Sequence, residues 1–77
     1  MTTAREAAVL LVAQALEVAP GSVNEQTTLG MTPQWDSLAH MRLILALEER
    51  LGRRLEPTAI ISLHGLVDVV ALLESDT

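Results

Sequence analysis

The sequence predicts a small all-α protein, a bundle of three longer helices and one short helix. Aliphatic side chains recur along it with the spacing of one helix face. Of its 77 residues 49% are hydrophobic, yet Trp35 is the only aromatic side chain, so the core must be aliphatic, which suits helices packed on helices. We expect residues 1–77 to form a single domain, because a chain this short sustains only one core.

The first predicted helix begins after Thr3, because Thr3 and Glu6 have the spacing of a capping box. It is expected to run to about Val18, and Pro20 and Gly21 are expected to end it. The apolar positions of its predicted buried stripe are Ala8, Leu11, Val12, Ala15 and Leu16.

A long connection over residues 22–34 precedes the second helix, and its expected apolar anchors are Val23, Leu29 and Met31. The second helix is predicted to begin at Asp36 or Ser37 and to end near Leu51, with Gly52 as its stop.

Pro57 suits the first position of a short third helix that ends near Ile61. Ser62 is expected to cap a last helix over about Leu63 to Leu73. The apolar positions of that helix are Leu66, Val69, Val70 and Leu73.

The composition argues against several classes of function. There is no cysteine, which excludes disulfides, thiolate catalysis and cysteine-based zinc sites, and fits a reducing cytoplasm. The net charge is −5, which disfavours nucleic-acid binding and suits partners with basic surfaces. We expect no signal peptide and no membrane span, because the longest apolar run, residues 7–13, is too short to cross a bilayer.

The second helix carries apolar residues on two faces. The expected core stripe contains His40, Leu43, Ile44, Leu47 and Leu51, and the opposite face contains Leu38, Met41, Arg42, Leu45, Glu48 and Glu49. Either the helix is buried on both sides, or the second face docks a partner through an apolar centre with a charged rim. The apolar centre would be Leu38, Met41 and Leu45, and the rim Glu48 and Glu49.

Ser37 at the start of this helix has three interpretations. Asp36, Ser37 and His40 are the residue types of a hydrolytic triad, but the chain lacks a Gly-x-Ser-x-Gly turn, so we expect no catalysis. Asp and Ser are also ordinary helix caps. The third interpretation is covalent attachment of a phosphate group, because a helix N-terminus favours negative charge.

The run Asp36-Ser37-Leu38, followed by Met41 to Glu49, closely resembles the acyl carrier protein family, and so does the order of elements along the whole chain. The resemblance implies a bundle of acyl-carrier type without catalytic activity. It also implies that a phosphopantetheinyl transferase attaches 4′-phosphopantetheine from coenzyme A to Ser37, with Asp36 and Leu38 as the flanking positions that modifying enzymes recognise. The thiol of this arm would carry acyl groups as thioesters.

The resemblance further implies a monomer that serves fatty acid, polyketide or related biosynthesis. Its partners would be an acyl-loading ligase or acyltransferase and ketosynthase-type or condensation-type enzymes. The expected partner-facing residues are Leu38, Met41, Arg42, Leu45, Glu48 and Glu49, and the cargo cleft is expected to be lined by Leu43, Ile44, Leu47, Ile60 and Val69. The alternatives are a peptidyl or aminoacyl carrier and an unmodified helical interaction module.

Three residues depart from the family pattern. Arg42 stands where an acidic residue is usual, and His40 stands where an acidic or small residue is usual. Trp35 stands where Gly or Ala is common. We expect Trp35 to pack over the loop, and His40 and His64 to be packing or hydrogen-bonding residues. The departures indicate a specialised, discrete carrier.

Overall fold

Four α-helices form the protein in a computed structural model that describes residues 3–75. They are α1 (Ala4–Leu16), α2 (Ser37–Leu51), α3 (Pro57–Ile61) and α4 (Leu66–Ser75). The prediction of a small all-α fold with one short helix is confirmed, and no strand occurs within residues 3–75. Residues 1, 2, 76 and 77 of the predicted domain lie outside the described part. Helix α1 packs against both α2 and α4.

The beginning of α1 agrees with the predicted capping box. The Thr3 hydroxyl accepts a hydrogen bond from the Glu6 amide at 3.1 Å, and the Glu6 carboxylate accepts one from the Thr3 amide at 3.2 Å. Two of the amides that a helix start leaves unpaired are thereby satisfied.

The predicted end of α1 at Val18 is wrong, because the helix ends at Leu16. Glu17 adopts the left-handed conformation, with φ 59° and ψ 45°. The Val18 amide then donates to the carbonyl of Ala13 at 3.0 Å, which is the closing bond of a Schellman motif. Pro20–Ser22 forms a separate 3₁₀ turn after this reversal.

The bounds of α2 confirm the prediction at both ends. Asp36 is the N-cap, and its Oδ1 accepts a hydrogen bond from the Ala39 amide at 2.8 Å. Gly52 takes a positive φ of 71° at the C-terminal end, and its amide donates to the Glu48 carbonyl. A residue with a side chain would be strained in this conformation.

Only one of the three expected anchors in the connection is buried. Val23 belongs to the core, whereas Leu29 lies at the surface and Met31 is 83% exposed. Backbone and hydroxyl groups hold this segment instead. The buried Thr27 hydroxyl accepts from the Asn24 amide at 3.0 Å, and the Thr32 hydroxyl accepts from the Thr28 amide at 3.1 Å.

The predicted start of the last helix was also wrong. Helix α4 begins at Leu66, and Ser62 instead ends α3, with its hydroxyl donating to the Ala59 carbonyl. The group that satisfies the amides before α4 is the Asp68 carboxylate, which accepts from the amides of His64 and Gly65, both at 3.0 Å.

The chain before α4 stays outside the helix because it pairs with the connection. The Leu29 amide donates to the His64 carbonyl at 2.7 Å, and the Leu66 amide donates to the Thr27 carbonyl at 3.2 Å. We call this pairing the loop clasp. It joins residues 27–29 to residues 64–66, with an isolated antiparallel bridge between Thr28 and Gly65.

The core is aliphatic apart from Trp35, which is 2% exposed. Trp35 is therefore a packing residue of the core, and its packing over the loop stays a prediction. Three positions placed in the predicted stripes, Leu11, Leu51 and Val70, are only partly buried at the edge of the core. The core residues are Ala7, Ala8, Val12, Ala13, Ala15, Leu16, Val23, Trp35, Ala39, Leu43, Ile44, Leu47, Leu55, Leu63, Leu66, Val69 and Leu73.

An ion pair fastens α1 to the connection. The Arg5 guanidinium donates to both oxygens of the Glu25 carboxylate, at 2.8 and 3.2 Å. The hydrogen bond from Arg5 lowers the pKa of Glu25 below its ordinary value. Because both side chains are about half exposed, solvent screening keeps the contribution of this pair small.

No helix within residues 3–75 combines the length and apolar character needed to cross a bilayer.

We predict that Gly65→Ala destabilises the fold by about 1–3 kcal/mol, the usual cost of overpacking. A Cβ at position 65 would lie 3.0 Å from Thr28 Cγ2 and 3.1 Å from the Thr27 carbonyl oxygen, so residues of the loop clasp would have to move away by a few tenths of an ångström. Urea unfolding followed by circular dichroism measures the change.

The matched control is Gly21→Ala, because a Cβ at Gly21 meets no atom within 4 Å. We expect its unfolding free energy to stay within about 0.5 kcal/mol of the parent protein. Equal effects of the two substitutions would contradict the role given to the loop clasp.

Candidate functional site

Ser37 is the first residue of α2, directly after the Asp36 cap, and it is exposed. The Asp36 carboxylate accepts a hydrogen bond from the Ala39 amide, which fixes the orientation of the side chain that precedes Ser37. Within residues 3–75, the Ser37 hydroxyl makes no hydrogen bond. The hydroxyl is therefore accessible to a modifying enzyme and does not have to break a bond within the described chain to react.

The amides at this helix start provide an environment for an anion. The first backbone bond of α2 runs from the His40 amide to the Asp36 carbonyl at 2.9 Å, and the Ala39 amide is taken by the cap. The amides of Ser37 and Leu38 have no partner within the described chain. Together with the helix dipole, they favour negative charge next to the Ser37 hydroxyl.

Trp35 and His40 form a pair beside Ser37. The Trp35 indole Nε1–H donates to His40 Nδ1 at 3.1 Å, with ring centroids 6.2 Å apart and ring planes inclined by 34°. His40 is partly buried and satisfies the polar atom of a fully buried indole. The expectation that His40 is a packing and hydrogen-bonding residue is thus confirmed.

This pairing is incompatible with a triad of Asp36, Ser37 and His40. In a triad, one imidazole nitrogen accepts the serine proton and the other donates to the carboxylate. An indole N–H can only donate, so Nδ1 of His40 is occupied as an acceptor. Nε2 alone cannot serve both Ser37 and Asp36.

The second apolar face of α2 is exposed. Leu38, Met41 and Leu45 are 60%, 55% and 58% accessible, and we call these three residues the α2 patch. Burial of the helix on both sides is therefore wrong. Large apolar side chains that cluster on one exposed face are typical of a protein–protein contact. Docking through the α2 patch remains a prediction.

Arg42 lies at the edge of the α2 patch, but its guanidinium reaches the end of α1. Its Nη1 lies 3.5 Å from the Ala15 carbonyl and 3.6 Å from the Glu17 carboxylate. The C-terminal end of a helix attracts a cation, so Arg42 links α2 to the end of α1. This contact gives Arg42 a role within the fold, and its predicted contact with a partner remains a prediction.

The two predicted rim acids differ in structure. The Glu48 side chain is partly buried, and its Oε2 accepts a hydrogen bond from the Leu55 amide at 2.9 Å. Glu48 thereby fixes the turn that follows α2. Glu49 is exposed and makes no hydrogen bond or ion pair within the described part of the chain. Of the two, Glu49 has the carboxylate that is available to a partner.

The residues expected to line a cargo cleft lie in the packed interior. Leu43, Leu47 and Val69 are fully buried, Ile44 is buried, and Ile60 packs at the edge of the core. Cargo could enter here only by separating these side chains. A surface groove of about 450 Å³ between α1 and α2 is lined by other residues, namely Leu11, Gln14, Ala46, Glu49 and Arg50.

Sequence reasoning missed the contacts that hold these elements in place. The loop clasp depends on Gly65, whose signal was a lone glycine directly before an apolar helix. Asp68 lies in the first turn of α4, where acidic residues commonly cap a helix, and this position was the signal for its bond to the Gly65 amide. Within residues 3–75 there is no cluster of three or more side chains suited to holding a metal ion.

Comparison with known proteins gives no further assignment. The chain matches no protein-family model, and no curated protein matches it significantly.

We predict that Glu48→Ala destabilises the protein by about 1–3 kcal/mol, because it leaves the partly buried Leu55 amide without an acceptor. Glu48→Gln should retain most of the stability, since its carbonyl oxygen can still accept. Urea unfolding followed by circular dichroism compares the variants.

Glu49→Ala is the matched control on the same helix, with an expected change within about 0.5 kcal/mol. Equal losses for Glu48→Ala and Glu49→Ala would show that the Leu55 contact contributes little.

Proposed function

We propose that this protein is a non-catalytic acyl carrier protein, a discrete member of the acyl-carrier type of four-helix bundle. Ser37 would bear 4′-phosphopantetheine, which tethers acyl intermediates as thioesters and presents them to enzymes of fatty acid, polyketide or related biosynthesis. The observation that carries the proposal is the exposed, unbonded Ser37 hydroxyl at the capped N-terminus of α2, with the α2 patch beginning at the next residue.

The proposed modification is a phosphoryl transfer. The Ser37 oxygen forms a bond to the phosphorus that carries pantetheine in coenzyme A, and adenosine 3′,5′-bisphosphate leaves with the electrons of the broken P–O bond. The hydroxyl proton goes to a base on the phosphopantetheinyl transferase. The resulting phosphodiester carries one negative charge, which the amides of Ser37 and Leu38 and the α2 dipole stabilise.

The composition supports a carrier of this kind. The chain has no cysteine, so the thiol of the arm would be the only thiol of the modified protein. Thioester chemistry would then take place on the cofactor, and the protein would contribute attachment, orientation and recognition.

The order of elements also supports it. A capped first helix, a long connection, a helix that opens with the modified serine, a short helix and a closing helix are what the family resemblance implies, and the chain has helices in that order. Proteins of unlike function can share a small helical fold, so Ser37 and the α2 patch carry the functional argument.

Partner enzymes would bind the α2 patch, with Glu49 as the charged group at its edge. This revises the expected rim, because the Glu48 carboxylate is occupied by the Leu55 amide. The expected partners are a loading ligase or acyltransferase and a ketosynthase-type or condensation-type enzyme. An aminoacyl or peptidyl cargo would use the same serine and the same surface.

We predict that incubation with a phosphopantetheinyl transferase, magnesium and coenzyme A adds the mass of one phosphopantetheine per chain. Intact mass spectrometry measures the gain, and a thiol reagent should then label one group per molecule. Ser37→Ala should abolish both signals.

The control is Ser62→Ala, which removes another exposed serine hydroxyl and should load like the parent protein. An absence of any mass gain would contradict the carrier function and favour an unmodified interaction module. A gain that persists in Ser37→Ala would contradict attachment at Ser37 and the carrier function argued from it.

A second prediction tests docking through the α2 patch. Leu45→Asp should lower kcat/KM for loading by the transferase about tenfold or more, because it places a charge at the centre of an apolar contact. A loading time course at low substrate concentration, with circular dichroism to check helix content, gives the measurement.

Leu10→Asp is the matched control, since Leu10 is a similarly exposed leucine on α1. We expect loading of Leu10→Asp at the parent rate. Equal effects at both positions would contradict a specific role for α2.

A further inference from the structure

The hydrogen bond between Trp35 and His40 determines which nitrogen of the His40 ring carries the proton. Trp35 is 2% exposed, so its indole N–H needs an acceptor inside the protein, and His40 Nδ1 supplies it at 3.1 Å. An indole nitrogen never accepts a hydrogen bond. Nδ1 therefore carries no proton while this bond exists, and the neutral imidazole must hold its proton on Nε2.

The position of the imidazole relative to Ser37 follows from helix geometry. His40 lies three residues after Ser37, a spacing at which two side chains are neighbours on a helix surface. Long side chains of a helix lean toward its N-terminus. The His40 ring contacts Trp35, which precedes the helix, so the ring lies toward the end of α2 at which Ser37 stands.

The two ring nitrogens consequently have different environments. Nδ1 is directed to the buried indole, and Nε2 lies on the other side of the ring, away from the Nδ1 bond. His40 is partly exposed, so the ring is not enclosed. Asp36, which directly precedes Ser37, uses its Oδ1 to accept from the Ala39 amide.

We infer that Trp35 fixes His40 as an Nε2–H donor, and that this N–H binds a phosphate oxygen of the group attached to Ser37. This rests on the proposed phosphopantetheine attachment and assigns two further residues to that site. His40 touches the phosphodiester, and Trp35 is a positioning residue that acts through His40.

The bond would add a side-chain donor to the two backbone amides at the start of α2. Hydrogen bonds to an ionised phosphate are stronger than those between neutral groups. Three donors around one phosphodiester fix its orientation, and with it the direction in which the flexible arm leaves the protein. His40 would thus determine where the thioester is presented relative to the α2 patch.

A purely structural role for His40 gives a different expectation. If the imidazole only satisfies the indole, its Nε2–H signal should be the same with and without the arm. If it also binds the phosphodiester, attachment of the arm should change the Nε2–H signal. The comparison needs no variant and uses the intact protein.

The experiment uses protein with ¹⁵N-labelled histidine, at about pH 8.5 to keep ordinary imidazoles neutral. In the unmodified protein, we expect NMR to show His40 protonated on Nε2 and unprotonated on Nδ1. Trp35→Phe, which removes the indole N–H, should weaken this preference. His64, an exposed histidine, provides the internal reference.

After loading, the His40 Nε2–H proton resonance should shift downfield and exchange more slowly with water, while the His64 signals stay unchanged. The ³¹P resonance of the phosphodiester should shift in His40→Leu, which has no donor. It should stay near the parent value in His40→Gln, whose amide can accept from Trp35 and donate to the phosphate.

Identical His40 signals before and after loading, together with a ³¹P resonance that His40→Leu does not change, would overturn the inference and leave the carrier function intact. A His40 ring protonated on Nδ1 would overturn it as well. Intact mass is measured first on every sample. A parent protein that does not load contradicts the carrier function, and the phosphate contact with it.

Discussion

The close packing of α2 and α4 onto α1 is the constraint on which the remaining structure depends. Alanines supply much of the contact surface of α1, since Ala7, Ala8, Ala13 and Ala15 are all buried. Small side chains let neighbouring helices approach closely, which allows leucines and valines to fill the interior around a single aromatic residue. Because α1 contacts both neighbours, α2 is held against a packed body of helices.

The connection between α1 and α2 places Ser37 through backbone pairing at one point and through side chains at its end. The loop clasp holds residues 27–29 against the start of α4, and Trp35 fixes the last residues before α2 in the core. Asp36 then ends the connection with a hydrogen bond to Ala39. The segment before Ser37 is therefore held at several points, although its most exposed large apolar residue, Met31, faces solvent.

The sequence was sufficient for features that depend on local chemistry, and insufficient for those that depend on distant partners. The capping box, the Asp36 cap, the Gly52 stop and the two faces of α2 follow from residues close together in the chain, and all were predicted. The start of α4 was not predicted, because pairing with residues 27–29 keeps the chain before Leu66 out of the helix. The exposure of Met31 was not predicted either. Likewise, Arg42 and Glu48 looked like surface charges, and only the fold shows that they bind the end of α1 and the turn after α2.

The burial of Trp35 also makes the site optically distinct. The chain contains no tyrosine or phenylalanine, so its near-ultraviolet absorption and its intrinsic fluorescence come from one indole. That indole sits two residues before Ser37 and is hydrogen-bonded to a histidine. Emission from this protein therefore reports on the surroundings of Trp35, two residues before Ser37, and a chemical change at this helix start can be followed without an added label.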